Sequence, residues 1–163
     1  TSKLRKIGVV LEERDEDLRV IGQDRYEKTT VKTMPHPGFP TDMQPQLTAL
    51  LTMAKGTSIV TESMFDNRFR YVDELRRMGA DISVDGKVAI IEGVGHLTGA
   101  PVKASDLRAG AALIIAGLST EGTTEIEDIF HIERGYEDME IKLRNLGADI
   151  VKLVFTDGMR KAL

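Results

Sequence analysis

The sequence predicts a mixed α/β fold assembled from a repeated α, β, α, β, β unit, and three observations carry that expectation. The run Leu75-Arg76-Arg77-Met78-Gly79-Ala80-Asp81-Ile82 returns 68 residues later as Leu143-Arg144-Asn145-Leu146-Gly147-Ala148-Asp149-Ile150, and a weaker copy, Leu4-Arg5-Lys6-Ile7-Gly8-Val9-Val10, lies 71 residues earlier. Other landmarks recur at similar spacing: Asp42 with Asp106, Gly56-Thr57 with Gly122-Thr123, Arg68 with Arg134, and Gly22 with Gly93. Self-similarity of this kind marks a repeat architecture. Within each unit the hydrophobic period alternates between that of a helix and that of a strand.

The first copy enters at Leu4, near the end of a helix, and keeps only a hairpin from Val9 to Ile21. Half a unit is therefore expected upstream, and the chain reads as a segment of a larger molecule. Pro35, Pro37 and Pro40 then crowd into Met34 to Asp42, a rigid linker that delivers Asp42. Met43, Leu47, Leu50, Leu51 and Ala54 form the apolar stripe of a helix that Gly56 closes. Thr57 to Ser63, rich in β-branched residues, reads as a strand, and Phe65 to Arg70 as a polar turn. Val72, Leu75 and Met78 make a second helical stripe ended by Gly79. Ile82 to Val84 and Lys87 to Glu92 pair as a hairpin around Asp85-Gly86. The next copy supplies a nearly all-apolar helix from Leu107 to Leu118, a strand from Thr123 to Ile129, the stripe Tyr136, Met139, Leu143, Leu146, and a final strand from Ile150. The expected organisation is an upstream-repeat remnant over 1–40, a complete repeat over 41–104, the final repeat over 105–153 and a tail over 154–163.

With 163 residues, 41% apolar and 29% charged, the chain has the composition of one globular domain. Folding at that size hides roughly 68 to 70% of the unfolded surface without a disulfide or metal staple. Cysteine is absent, which removes disulfides, thiolate zinc sites and thiol chemistry from this chain. A net charge of −4 with no long basic run argues against a nucleic-acid partner. Ala109 to Leu118, the most apolar stretch, is ten residues, far short of the ~20 that span a bilayer. Position 1 is Thr with no leader pattern behind it, so neither a membrane nor a secretory role is expected and the setting reads as cytoplasmic.

Loops in equivalent positions of stacked repeats gather on one edge, so Asp42, Asp106, Arg68 and Arg134 should share a rim, with Arg108 two residues past Asp106. Three guanidiniums there suggest an anion site, since the Arg fork pairs bidentately with carboxylate and phosphate. Plainer roles stand beside this one. An Asp ahead of an apolar helix is most often an N-cap, and turn arginines commonly make surface pairs of small worth. His36, His96 and His131 lack metal-ligand spacing and read as structural or solvent-facing. Met34, Met43, Met53, Met64 and Met78 read mostly as core filler. No phosphate-loop, dinucleotide or zinc-protease motif is present, so no cofactor and no metal are expected.

His36-Pro-Gly-Phe-Pro-Thr-Asp42-Met-Gln, Phe65-Asp-Asn-Arg68-Phe, Ser105-Asp106-Leu107-Arg108-Ala-Gly-Ala-Ala and His131-Ile-Glu-Arg134-Gly-Tyr closely resemble the bacterial UDP-N-acetylglucosamine 1-carboxyvinyltransferases, a family of enolpyruvyl transferases. The likeness runs over residues 1 to 153 and concerns the C-terminal part of those enzymes. It implies an inside-out α/β barrel of βαβαββ units, helices within and sheets outside, with the first repeat truncated here. It also implies transfer of the enolpyruvyl group from phosphoenolpyruvate to the 3-hydroxyl of UDP-N-acetylglucosamine in peptidoglycan synthesis. On that resemblance Asp42 matches the proposed general base at the 3-hydroxyl, and Met64 the position whose backbone contacts the nucleotide sugar. Arg68, Arg108 and Arg134 match the arginines that grip phosphoenolpyruvate, with Asp106 beside them.

The resembling family draws a Lys, an Arg and a proton donor, usually Cys, from its other domain, and none of that motif region occurs in this chain. The isolated chain is therefore expected to be inactive, with the missing N-terminal domain as its partner. Two alternatives remain: a fragment of a 3-phosphoshikimate 1-carboxyvinyltransferase, which normally carries a Lys-Glu-Ser-Asp-Arg run where this sequence has Phe65-Asp66-Asn67-Arg68, and a non-catalytic folding or interaction fragment.

Overall fold

The computed structural model describes residues 1–156 and 159–162. A short helix α1 (Ser2–Lys6) leads into an antiparallel hairpin, β1 (Val10–Glu13) and β2 (Leu18–Ile21). Strand β3 (Thr30–Lys32) follows, then the proline stretch, a 3-10 turn (Thr41–Met43), helix α2 (Gln44–Leu51), strand β4 (Thr57–Thr61), helix α3 (Val72–Arg77) and the hairpin β5 (Asp81–Asp85) and β6 (Val88–Glu92). The remainder runs β7 (Leu97–Thr98), β8 (Pro101–Lys103), α4 (Leu107–Gly117), β9 (Thr120–Glu121), β10 (Glu125–Glu127), α5 (Phe130–Glu133), α6 (Met139–Asn145), β11 (Leu153–Thr156) and β12 (Met159–Ala162).

Four strands form the largest sheet in the order β3-β4-β6-β5, with β3 parallel to β4 and the other pairs antiparallel. A parallel pair needs a crossover, and α2 provides it. In the next copy β8 and β10 are likewise parallel across α4. Strands β4 and β6 alternate buried with outward-facing residues, and Ile59 and Ile90, opposite each other in register, lie on the outward face.

Two helices, α2 and α4, occupy the interior. In α2, six of eight residues are buried, and in α4 seven of eleven; a helix buried on nearly every side must be apolar all round, as the Ala-Gly-Ala-Ala-Leu-Ile-Ile-Ala run of α4 is. The two helices pack on each other, with Leu47, Ala49, Leu51, Ala112, Leu113 and Ala116 in one core with Val60, Leu75 and Ile91. Interior α2 and α4 with strands outside them is the arrangement that the family resemblance implies.

Several local expectations shift. Helix α2 stops at Leu51, and the last turn before Gly56 is irregular: the Thr52 hydroxyl donates to the Ala49 carbonyl at 2.7 Å, and the Thr52 carbonyl accepts from Val94 N–H at 2.7 Å. The β5–β6 turn is Gly86-Lys87 rather than Asp85-Gly86, because Asp85 pairs with Val88 and leaves Gly86, φ 55°, as the first central residue. The strand expected from Thr123 to Ile129 is held to Glu125–Glu127, the length over which β8 pairs with it. Helix α5 and the short strands β3, β7, β8 and β9 carry too few residues to show a period, and β3, the edge of the main sheet, comes from the segment read as hairpin and linker. The final strand starts at Leu153, not Ile150. The tail expected over 154–163 lies partly outside the described residues; within them β11 and β12 form an antiparallel hairpin. Leu146, placed on the apolar stripe of α6, is 84% exposed. Met34, Met43 and Met64, read as core filler, are also exposed, whereas Met78 is fully buried.

Candidate functional site

Each expected site residue lies in a loop or at the first turn of an interior helix. Asp42 is in the 3-10 turn ahead of α2. Pro45 stands in the first turn of that helix, a position where its missing N–H costs nothing. Arg68 sits in the loop between β4 and α3, just after Asn67, whose φ of 54° is a left-handed conformation that Asn tolerates better than most residues. Asp106 is the N-cap of α4, accepting from the Arg108 and Ala109 N–H groups at 2.8 and 3.0 Å. Arg134 follows the last turn of α5.

Asp42 does not cap its helix; Met43 holds the N-cap position without a side-chain bond. Its carboxylate instead accepts a hydrogen bond from Arg108 Nε and lies 3.7 Å from Arg68 Nη2. The structure thus brings guanidiniums from two repeat copies to one carboxylate. Because the Asp42 side chain is 62% exposed, these pairs add little stability, about 0 to 1 kcal/mol each. Their consequence is electrostatic: two cations share one anion, and positive charge is left over.

Arg108 joins this group to a second. Asp106, Leu107, Arg108, His131 and Arg134 line a hollow of about 280 Å³, near the small end of the ~300 to 1,000 Å³ typical of ligand pockets. Its walls meet because α4 and α5 approach closely at Gly110, where any Cβ would overlap the Ile132 side chain. Arg134 is exposed. His131, read from sequence as structural or solvent-facing, is half-buried beside this hollow and stacks on Phe130 with ring centres 4.0 Å apart. Its place in the His131-Ile-Glu-Arg134 run was the available signal.

Arg68 is more enclosed than Arg108 or Arg134. Its guanidinium carbon lies 4.7 Å from the Phe65 ring centre, a cation–π contact, and Nε donates to Thr41 Oγ1 at 3.4 Å. Met64, the chain neighbour of Phe65, is exposed, and its N–H donates to Glu62 at 2.8 Å. Behind the site, Tyr71 is buried and donates its hydroxyl to Gln44 Oε1 at 3.1 Å. Burial raises the pKa of that phenol well above its ordinary range. Among the described residues, no group of three or more His, Cys, Asp or Glu side chains is placed to hold a metal ion. No helix among them is long and apolar enough to cross a membrane.

The family model described as EPSP synthase (3-phosphoshikimate 1-carboxyvinyltransferase) matches residues 1–143. The chain belongs to that family of enolpyruvyl transferases. Among curated relatives, UDP-N-acetylglucosamine 1-carboxyvinyltransferase 1 of Caldanaerobacter subterraneus is 57% identical over 151 residues, covering 93% of this chain and 36% of the relative. UDP-N-acetylglucosamine 1-carboxyvinyltransferase 2 of Shouchella clausii is 53% identical over 157 residues, covering 96% and 37%. The chain therefore spans little more than a third of the length of these relatives. Among solved structures, the enolpyruvyl transferase NikO from Streptomyces tendae superimposes with a TM-score of 0.83 at 30% identity, over 91% of this chain and 34% of that one. EPSP synthase from Acinetobacter baumannii, at 23% identity and TM-score 0.65 over 99% of this chain and 38% of its own, shares the fold.

Proposed function

We propose that this chain is the C-terminal part of a UDP-N-acetylglucosamine 1-carboxyvinyltransferase, an enzyme of peptidoglycan synthesis and so of cell-wall biogenesis, cell shape and division, working in the cytoplasm. The observation that carries the proposal is the Asp42 carboxylate bracketed by Arg68 and Arg108, guanidiniums from separate repeats. The reaction needs that combination. The sugar 3-hydroxyl oxygen bonds to C2 of phosphoenolpyruvate while C3 takes up a proton, giving a tetrahedral ketal. Loss of a C3 proton and of inorganic phosphate then restores the double bond and leaves the enolpyruvyl ether.

In this reading Asp42 removes the hydroxyl proton, a role worth about 10² to 10⁴ in rate. Arg68, Arg108 and Arg134 hold the phosphate and carboxylate of phosphoenolpyruvate, and prepositioned donors of this kind stabilise charge as it develops. Asp106 keeps the α4 terminus, and hence Arg108, in place beside the reacting centre. The Met64 backbone faces the nucleotide sugar. The proton donor to C3 and two further cations belong to the N-terminal domain that the relatives carry outside the matched third, so turnover requires that partner. No cofactor, nucleic acid or membrane enters the scheme. The 52–57% identities to UDP-N-acetylglucosamine enzymes favour this substrate over shikimate 3-phosphate.

Isotope-labelled chain titrated with UDP-N-acetylglucosamine and, separately, with inorganic phosphate tests the proposal even where affinity is millimolar. The expected result is a cluster of shifts at Asp42, Met64 and the three arginines, with the sugar nucleotide response weakened in Asp42→Asn. Shifts with shikimate 3-phosphate but none with the sugar nucleotide would reassign the substrate. The absence of shifts with every one of these ligands would leave a non-catalytic fragment.

A further inference from the structure

Glu62, just past the end of β4, is 1% exposed, and among the described residues no ion pair includes it. A buried carboxylate without a cation must be held by hydrogen bonds, and Glu62 accepts four. Oε1 takes the Thr33 hydroxyl at 2.8 Å, the Met64 N–H at 2.8 Å and the Phe65 N–H at 3.3 Å; Oε2 takes the Thr41 hydroxyl at 2.8 Å. These donors come from the edge of β3, from the 3-10 turn that bears Asp42, and from the loop that leads to Arg68.

A threonine hydroxyl has one proton and two lone pairs. With its proton committed to Glu62, Thr41 Oγ1 can only accept from its other neighbour, and that neighbour is Arg68 Nε, at 3.4 Å. Phe65, whose ring lies against the same guanidinium, is fixed by its N–H on the other oxygen of Glu62. One carboxylate therefore anchors both surfaces that flank Arg68.

We infer that Glu62 is a positioning residue: acting through Thr41 and the Met64-Phe65 backbone, it sets the orientation of the Arg68 guanidinium beside Asp42. The inference rests on the reading of Arg68 as an anion-binding group. It makes a directional claim that ordinary packing does not. In Glu62→Gln the side chain keeps its shape, but one oxygen becomes an N–H donor. Placed toward Thr41, that group turns the hydroxyl proton onto Arg68 Nε, donor against donor; placed on the other side, it opposes the Met64 and Phe65 N–H groups. Thr41→Val removes the relay and leaves Glu62 its loop contacts, whereas Thr41→Ser preserves the relay.

The test is the Nε–Hε resonance of Arg68 in nitrogen-labelled chain, assigned by its disappearance in Arg68→Lys. The expected result is a moved resonance with faster solvent exchange in Glu62→Gln and Thr41→Val, and wild-type behaviour in Thr41→Ser. Phosphate binding should fall about tenfold in Thr41→Val, the worth of one charged hydrogen bond. If Glu62→Gln does not fold, the Thr41→Val and Thr41→Ser pair decides the question. An Arg68 resonance identical in wild type, Thr41→Val and Thr41→Ser, in a chain whose arginines still respond to phosphate, overturns this inference alone. The relay signature without any phosphate response overturns the anion reading on which it rests.

Discussion

Asp42 and Asp106 stand at matching places in two copies of one unit, each ahead of an interior helix, yet they do different physical work. Asp106 accepts two backbone N–H bonds and caps α4. Asp42 caps nothing and instead faces Arg68 and Arg108. The difference follows from the connection that delivers each one. Only residues 104–106 separate β8 from α4, so Asp106 falls directly onto the helix start, whereas residues 33–43 separate β3 from α2, and the proline stretch ends in a 3-10 turn that lifts Asp42 off it. A repeat can thus keep a capping aspartate in one copy and turn its counterpart toward two guanidiniums in another.

Substitutions break that comparison in graded ways. The largest effect is expected from Arg108→Ala, which removes the guanidinium shared by Asp42 and the hollow. Phosphate binding should fall about 10- to 100-fold, equivalent to ~1.5 to 3 kcal/mol, while urea unfolding stays within ~0.5 kcal/mol of wild type. Gly110→Ala should follow, because the new methyl meets Ile132; overpacking of this sort costs about 1 to 3 kcal/mol, and the same substitution should shift the His131 and Arg134 resonances as α5 moves. Asp106→Ala should cost about 1 kcal/mol in unfolding free energy, the usual worth of an N-cap. Asp42→Ala, its repeat counterpart, caps nothing and gives up only exposed ion pairs, so it should cost less stability than Asp106→Ala. Equal losses at the two aspartates would erase the distinction.

Tyr71 sharpens the same contrast from behind the site. Burial raises its pKa in the folded state, so the folded chain holds the phenolic proton more tightly than the unfolded one. The stabilisation this represents is complete below the unfolded value of about 10 and is lost progressively as pH rises above it. Thermal unfolding followed from pH 8 to 11 should therefore decline less steeply in Tyr71→Phe than in wild type.

Much of this was legible in the residues. The alternation of helix and strand periods marked α2, α3, α4, α6, β4 and the β5–β6 hairpin, because each has enough residues for its period to show. Strand β3 did not announce itself: three residues with one buried side chain have no period, and only pairing with β4 makes them a strand. The recurring Asp and Arg positions pointed to a shared edge, and the structure does bring Asp42, Arg68 and Arg108 together. Spacing could not reveal that Asp42 departs from its repeat counterpart, since that depends on a 3-10 turn. Glu62 was silent for a related reason. Its significance lies in four donors, two of them threonine hydroxyls 29 and 21 residues upstream, and a lone Glu at a strand end carries no sign of them.

The most direct test of the account is inorganic phosphate affinity in Asp42→Asn. If Asp42 occupies guanidiniums that otherwise receive an anion, removing its charge while keeping its shape should make phosphate bind more tightly than in wild type, with larger shifts at Arg68 and Arg108. Unchanged or weaker phosphate binding would contradict the claim that these groups from separate repeats form one anion site around Asp42.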